Sequence, residues 1–185
     1  MKMIILASSS PRRAKLLKDA GIEFVVEPSD IEEVIDEHLE PKDIVIDLAK
    51  QKAQAVSLKH PDDIVIAADT IVVFNREILG KPKDEAHAYE MLKMLSSEQH
   101  QVYTGVAIQK GEKINSFYTR ADVLMKQLSD LEIKEYIQTK EPLDKAGAYG
   151  IQGLGSKLVE RYQGDFFTIV GLPLKDVIAN LNTFN

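Results

Sequence analysis

Between Ile64 and Phe74 the chain reads Ile-Val-Ile-Ala-Ala-Asp-Thr-Ile-Val-Val-Phe, an apolar run broken once by an Asp-Thr pair. Such a run does not suit a sheet with one wet face. It suits a strand covered on both sides, the kind that helices sandwich in α/β folds. Ile64–Ala68 is therefore expected as a buried strand, with Ile71–Phe74 continuing extended. Residues 3–7 form a second continuous apolar run and predict another buried strand. That stretch turns polar at Ser8, too early for the core of an export signal.

The segments between the runs carry helix signals. Ser10-Pro11 reads as an N-cap with proline at the first helical position. Ala14, Leu16, Leu17 and Ala20 give that helix an apolar side, and Gly21 is a natural stop. Ile22–Val26 reads as a strand. Pro41 opens a helix with Ile44, Val45, Leu48, Ala49, Ala53 and Val56 on or near one face. Asn75-Arg76 suggests a turn, and Asp84 caps a helix bearing Ala88, Met91, Leu92 and Leu95. Residues 101–109 and 113–126 read as a hairpin turning near Gly111. Ser129-Asp130-Leu131-Glu132 matches a capping box. Residues 157–162 and 166–170 suggest two further strands, and Pro173 starts a last helix. Helix-linked strands mixed with a hairpin imply α/β or α+β architecture with a mixed sheet. No internal repeat or linker interrupts the 185 residues, which are expected to form a single domain, 1–185.

Composition narrows the function classes. The net charge of −6 argues against a general nucleic-acid binder, which gains most of its affinity by neutralising phosphates. It does not exclude a small polyanion held by a local basic site or a metal. Zero cysteines remove thiol nucleophiles, Cys-ligated zinc and iron–sulfur clusters, and fit a cytoplasmic protein. No apolar run approaches the roughly 20 residues of a membrane span.

Five places could carry chemistry, and each has a plainer structural reading beside it. Ser8-Ser9-Ser10-Pro11-Arg12-Arg13 joins a strand to a helix N-terminus, where free N–H groups, the helix dipole and arginine forks favour phosphate; it is equally the form of a capped helix with solvated arginines. Asp69-Thr70 follows a buried strand, where α/β sheets place ligands. Asp69 could bind metal or take a proton from attacking water, or simply make a turn. Gly80-Lys81-Pro82 fails as a P-loop, because position 75 is Asn and position 82 is Pro. Lys81 could still meet a phosphate as a point charge, or be no more than a turn lysine. Asp144–Gly155 holds four of the ten glycines in a spacing unlike the dinucleotide fingerprint. Its polar insertions Lys145 and Gln152 could contact a bound substrate, and a bulged, irregular strand pair is the plain alternative. Glu32 and Glu33, in the acidic stretch 27–43, could share a Mg²⁺ with substrate phosphates or form a solvated face. Lys52 offers one further cation. The four histidines are too far apart for H-E-x-x-H, and no G-x-S-x-G elbow is present.

Taken in order, Ser8–Arg13, Glu32-Glu33, Lys52, Ala68-Asp69-Thr70, Gly80-Lys81-Pro82, Asp144–Gly155 and Gly171-Leu172-Pro173 resemble the Maf family of nucleotide pyrophosphatases across essentially the whole chain. The resemblance implies an α/β fold similar to inosine-triphosphate pyrophosphatases, with a central mixed sheet flanked by helices and two lobes around a cleft. It implies hydrolysis of a nucleoside triphosphate to monophosphate and diphosphate, dependence on a divalent cation (Mg²⁺ or Mn²⁺), and a homodimer. It casts Asp69 as general base and metal ligand, Glu33 as metal or water partner with Glu32 beside it, and Lys52 and Lys81 as phosphate neutralisers. Ser8, Ser10, Arg12 and Arg13 would line the phosphate end, while Arg12, Thr70 and Gln152 would set substrate choice. Gly147–Gly153 resembles the branch acting on dTTP and UTP; the branch acting on 7-methyl-GTP carries an acidic residue where this chain has Gln152. A neutral amide can both donate and accept, as the O4 and N3–H edge of uracil or thymine requires. The competing expectation is a nucleotide-binding regulator of septum formation with little catalysis, using the same site. Neither a nucleic-acid nor a membrane partner is expected.

Overall fold

The computed structural model describes residues 3–184. The strands are β1 (Ile4–Leu6), β2 (Val25–Val26), β3 (Ile64–Phe74), β4 (Glu77–Leu79), β5 (Gln99–Lys110), β6 (Lys113–Met125) and β7 (Val159–Gln163). The helices are α1 (Pro11–Asp19), α2 (Pro41–Ser57), α3 (Glu85–Leu95), α4 (Asp130–Gln138), α5 (Phe166–Val170) and α6 (Leu174–Leu181). Hydrogen bonding orders the sheet β2-β1-β3-β5-β6-β7, with β4 added to β3. β1 runs parallel to β2 and β3, whereas β4 and β7 are antiparallel to β3 and β6. The sheet is therefore mixed, as the sequence of crossovers and hairpins predicts.

The chain resolves into two compact units. The first takes in residues through Asp69, Thr104–Thr119 and Gly171 onward; the second takes in Thr70–Tyr103 and Arg120–Val170. β3 passes from one to the other at Asp69-Thr70.

In the first unit α2 lies on one face of the strands. Ile5, Ala7, Val65 and Ala67 alternate along β1 and β3, and they pack with Ala107 against Ala49, Ala53 and Val56 of α2. These small side chains let helix and sheet approach closely. At Gly105 a β-carbon would stand 2.2 Å from the Val45 carbonyl oxygen, so the contact admits only glycine. On the opposite face Ile4 and Ile64 share a pocket with Ala20 beyond α1 and with Ile178 and Leu181 of α6. The second unit has its own core. Val72, Phe74, Val102, Val123 and Met125 meet Ala88, Met91, Leu92 and Leu95 of α3, and Ile133, Tyr136 and Ile137 of α4.

Most local signals act as the sequence predicts. The Ser10 hydroxyl accepts the Arg13 N–H at 3.4 Å, Pro11 opens α1, and Gly21 sits at φ +73°. Ser129 and Glu132 cap α4 reciprocally. Gly111, at φ +55°, turns β5 into β6. Asn75 and Arg76 turn β3 into β4 with φ of +49° and +68°.

Three expectations need correction. Residues 166–170 are helix α5, not a strand: Asp165 caps them through its carboxylate to the Phe167 N–H (2.9 Å) and its carbonyl to the Thr168 N–H (3.0 Å). A short apolar run carries no periodicity to separate the two forms. The glycine-rich stretch is not a bulged strand pair. It is built of 3₁₀ turns at Glu141–Asp144, Ala146–Ala148 and Gly153–Leu158, and β7 begins only at Val159. Of Ile22–Val26, only Val25–Val26 pair with β1, at the exposed edge of the sheet. Among the described residues no helix is long and apolar enough to cross a membrane.

Candidate active site

In the first unit, β3 delivers Asp69 to the C-terminal end of the parallel strands. Pleat alternation puts it on the same face as Val65 and Ala67, the face that α2 covers. Lys52 stands on α2 one residue before the core-facing Ala53. Its ammonium donates to Asp69 Oδ1 at 2.6 Å and lies 3.1 Å from Glu33 Oε1. The Lys52 and Asp69 side chains are each only 13% exposed, against 41% for Glu33. A cation shared by two carboxylates, one of them largely desolvated, is screened by water and salt much less than a surface pair.

Glu33 belongs to no helix or strand, yet its place is fixed. Gln51 of α2 accepts the Val34 N–H at 3.1 Å and donates to the Val34 carbonyl at 2.8 Å. The same amide nitrogen donates to Asp47 one turn earlier, at 2.7 Å. Gln51 thus ties the segment carrying Glu33 to the helix carrying Lys52. Glu32, next in sequence, is exposed, whereas Lys52 forms ion pairs with Glu33 and Asp69.

The strand-to-helix junction after β1 supplies the basic wall. Ser8 is buried, and its hydroxyl accepts from the Ser10 N–H and from Arg13 Nη1, both at 3.2 Å. Arg13 Nε donates to the Gly171 carbonyl at 2.8 Å, which gives Gly171-Leu172-Pro173 a role as an anchor for this arginine. Burial lowers the Arg13 pKa from its usual value, Asp69 raises it, Arg12 lowers it and Glu33 raises it. Arg13 is thus a held, half-buried cation in the electrostatic reach of both carboxylates, unlike the solvated arginine of the plain reading. Arg12 beside it is half-buried. The structure therefore brings together Ser8, Ser10, Arg13, Glu33, Lys52 and Asp69, with Arg12 next to Arg13.

The second unit holds the other candidates. Thr70 is half-buried and, by strand alternation, faces away from the Asp69 side of β3. The Gly147 N–H donates to the Gly80 carbonyl at 3.1 Å, so the turn bearing exposed Lys81 is bonded to the glycine-rich segment. Gly147 itself is at φ +71°, and a β-carbon there would stand 3.1 Å from Val72 Cγ2, a position that favours glycine. Lys145 is turned inward: its ammonium donates to the Glu141 carbonyl at 2.8 Å and to Asp144 at 2.9 Å. Gln152 is exposed on the loop before the last 3₁₀ turn.

Sequence reasoning missed Gln51, Tyr136 and Glu141, whose side chains hold these loops. None stands in a motif. A Gln at i+4 from Asp47 and an aromatic at a core-facing helix position look ordinary in a sequence.

Residues 3–184 match the family described as Maf-like protein, and the chain belongs to that family. A Bacillus cereus protein named dTTP/UTP pyrophosphatase is 52% identical over all 185 residues, which span 91% of its length. One from Bacillus cytotoxicus with the same name is 51% identical, with all of this chain covering 97% of it. Among solved structures, a nucleoside-triphosphatase (dITP/XTP pyrophosphatase) of Mycobacterium abscessus aligns over 98% of this chain and 95% of its own, at 15% identity and a TM-score of 0.48.

Proposed function

We propose that this protein hydrolyses dTTP and UTP, and modified pyrimidine triphosphates of the same edge chemistry, to the monophosphate and diphosphate. The observation that carries the reading is the Lys52 ammonium set between Asp69 and Glu33 beside the Arg13 guanidinium. The names of the full-length relatives supply the substrates.

In this reading Asp69 orients a water in line with the α-phosphorus and accepts its proton. The water oxygen bonds to phosphorus as the bond to the α,β-bridging oxygen breaks, and the electron pair leaves with diphosphate. Lys52 holds the Asp69 carboxylate and, with Lys81, offsets phosphate charge. Ser8, Ser10, Arg12 and Arg13 receive the phosphate end. Arg12, Thr70 and Gln152 select the substrate, and Lys145 supports the loop that bears Gln152.

The donor set suits a hard divalent cation. Among the described residues no group of three or more His, Cys, Asp or Glu could hold a metal alone. Two convergent carboxylates completed by substrate phosphate oxygens is the arrangement Mg²⁺ favours, and Mn²⁺ accepts it. Asp69 and Glu33 would hold the ion, with Glu32 a neighbouring third oxygen source. Its contribution would be to neutralise the triphosphate and acidify bound water. We read residues 1–185 as one Maf-like domain acting as a cytoplasmic homodimer without nucleic-acid or membrane partners; light scattering of the purified chain checks the dimer.

The decisive experiment is diphosphate release from UTP, dTTP, CTP, GTP and 7-methyl-GTP with Mg²⁺ or Mn²⁺, run beside Asp69→Asn. Metal-dependent turnover of UTP and dTTP, lowered about a hundredfold or more in the variant, supports reaction, base and substrate together. Turnover of 7-methyl-GTP alone overturns the assignment of Gln152. Tight nucleotide binding without product from a folded protein favours the regulator instead.

A further inference from the structure

We propose that Tyr136 and Glu141 are positioning residues for Gln152, clamping both feet of the loop that presents it and thereby setting discrimination among nucleobases. This rests on the reading of Gln152 as the residue that meets the base edge.

Both feet of the loop converge on two bonded side chains. The Tyr136 hydroxyl accepts the Gly150 N–H at 3.2 Å and donates to Glu141 Oε1 at 2.9 Å. Glu141 Oε1 also accepts the Gly155 N–H at 3.0 Å, and Oε2 accepts that of Leu154 at 3.3 Å. The near foot is thus held by the phenol, the far foot by the carboxylate, and the two holders by each other. Tyr136 is a core residue, 5% exposed, and burial raises its phenol pKa, so the proton it gives Glu141 stays in place.

The feet also touch. A β-carbon at Gly155 would stand 2.1 Å from the Gly150 carbonyl oxygen and 2.7 Å from the Tyr136 hydroxyl. One at Gly150 would stand 2.7 Å from Lys145 Cε. Gly153 turns the apex at φ +64°, and a β-carbon there would stand 3.2 Å from Glu141 Oε2. Gln152, exposed between these points, stands on a closed, pinned stretch of backbone. Telling a donor-and-acceptor edge from its alternatives demands a fixed amide, because a mobile one can re-pair with any of them. Charge-assisted bonds that one carboxylate accepts from two backbone N–H groups supply that fixity.

The test uses the full-length protein. Tyr136→Phe keeps the ring in the core and removes only the hydroxyl; Glu141→Gln keeps the shape and removes the charge. Each is compared with wild type and with Gln152→Ala by amide hydrogen exchange across 150–155 and by kinetics on UTP, dTTP, CTP and GTP. The expected result is faster exchange at Gly150 in Tyr136→Phe, and at Leu154 and Gly155 in Glu141→Gln. The preference in kcat/KM for UTP over CTP should fall about tenfold, through KM with kcat nearly unchanged. In the Gln152→Ala background neither change should move the preference further.

Unchanged preference despite faster exchange overturns the proposal. So does a uniform fall in kcat for every triphosphate, or a loss of preference that persists without Gln152. If wild type prefers other triphosphates, the substrate reading fails while the clamp is judged on the preference it does show. If it only binds nucleotides, the same ratios are read from calorimetric Kd values.

Discussion

Gln51 grips Val34 by both of its backbone polar groups, accepting the N–H at 3.1 Å and donating to the carbonyl at 2.8 Å. The pairing mimics one rung of a β-ladder, made by a helix side chain, and it carries Glu33 to Lys52. Gln51→Ala should therefore lower kcat/KM by about tenfold through loss of orientation. The thermal midpoint should move little, because the bonds are solvent-exposed and each contributes about 1 kcal/mol or less. Steady-state kinetics beside a melting curve checks this. Gln51→Glu retains the acceptor for the Val34 N–H and should fall between the two.

Lys52 is the common partner of two carboxylates. Lys52→Met should cost about 1 to 3 kcal/mol of stability, since it leaves the largely buried Asp69 without its cation. It should lower turnover by about a hundredfold or more. A variant that melts early yet turns over normally would remove Lys52 from the chemistry.

Gly105 lies where α2 meets the sheet, and an added β-carbon would stand 2.2 Å from the Val45 carbonyl oxygen. Gly105→Ala should destabilise the protein by about 1 to 3 kcal/mol, because backbone rather than a flexible side chain must move. Chemical denaturation measures the change directly.

His100 supplies a pH signature. It is fully buried, its Nε2 lies 2.6 Å from the Tyr149 hydroxyl, and burial pushes its pKa down to about 4, with Asp122 opposing. A histidine whose folded pKa is depressed contributes stability above its unfolded value near 6.5. That contribution is lost as pH falls from about 6.5 towards 4, because only the unfolded chain takes up the proton. The loss should total at most about 3 kcal/mol. Denaturation between pH 7.5 and 4 should show it, and His100→Phe should flatten the slope over that interval.

The sequence marks what local chemistry controls. Ser10-Pro11, Gly21, Asn75-Arg76, Gly111 and the Ser129–Glu132 box act locally, so each is visible in the chain. Unbroken apolar runs reveal strands only when flanking residues agree; Phe166–Val170 is a helix because Asp165 caps it. The same division holds at the site. Asp69 can be picked out because a charge inside an apolar run is conspicuous, whereas Lys52, one of two lysines on an ordinary helix, takes its role only from the family resemblance. Gln51, Tyr136 and Glu141 cannot, because their bonds join positions whose sequence separation follows no period.

β3 carries one further consequence. Asp69 reaches Lys52 because it falls on the same side of the pleat as Val65 and Ala67. What links it to them is parity. Adding or deleting one residue between Ile64 and Asp69 would exchange Asp69 with its neighbour across the sheet, although every side chain survived. The segment can thus change its letters more safely than its count. The loop bearing Glu33, gripped at a single residue by Gln51, is free of that arithmetic, so natural variation in chain length should gather there and spare the strand.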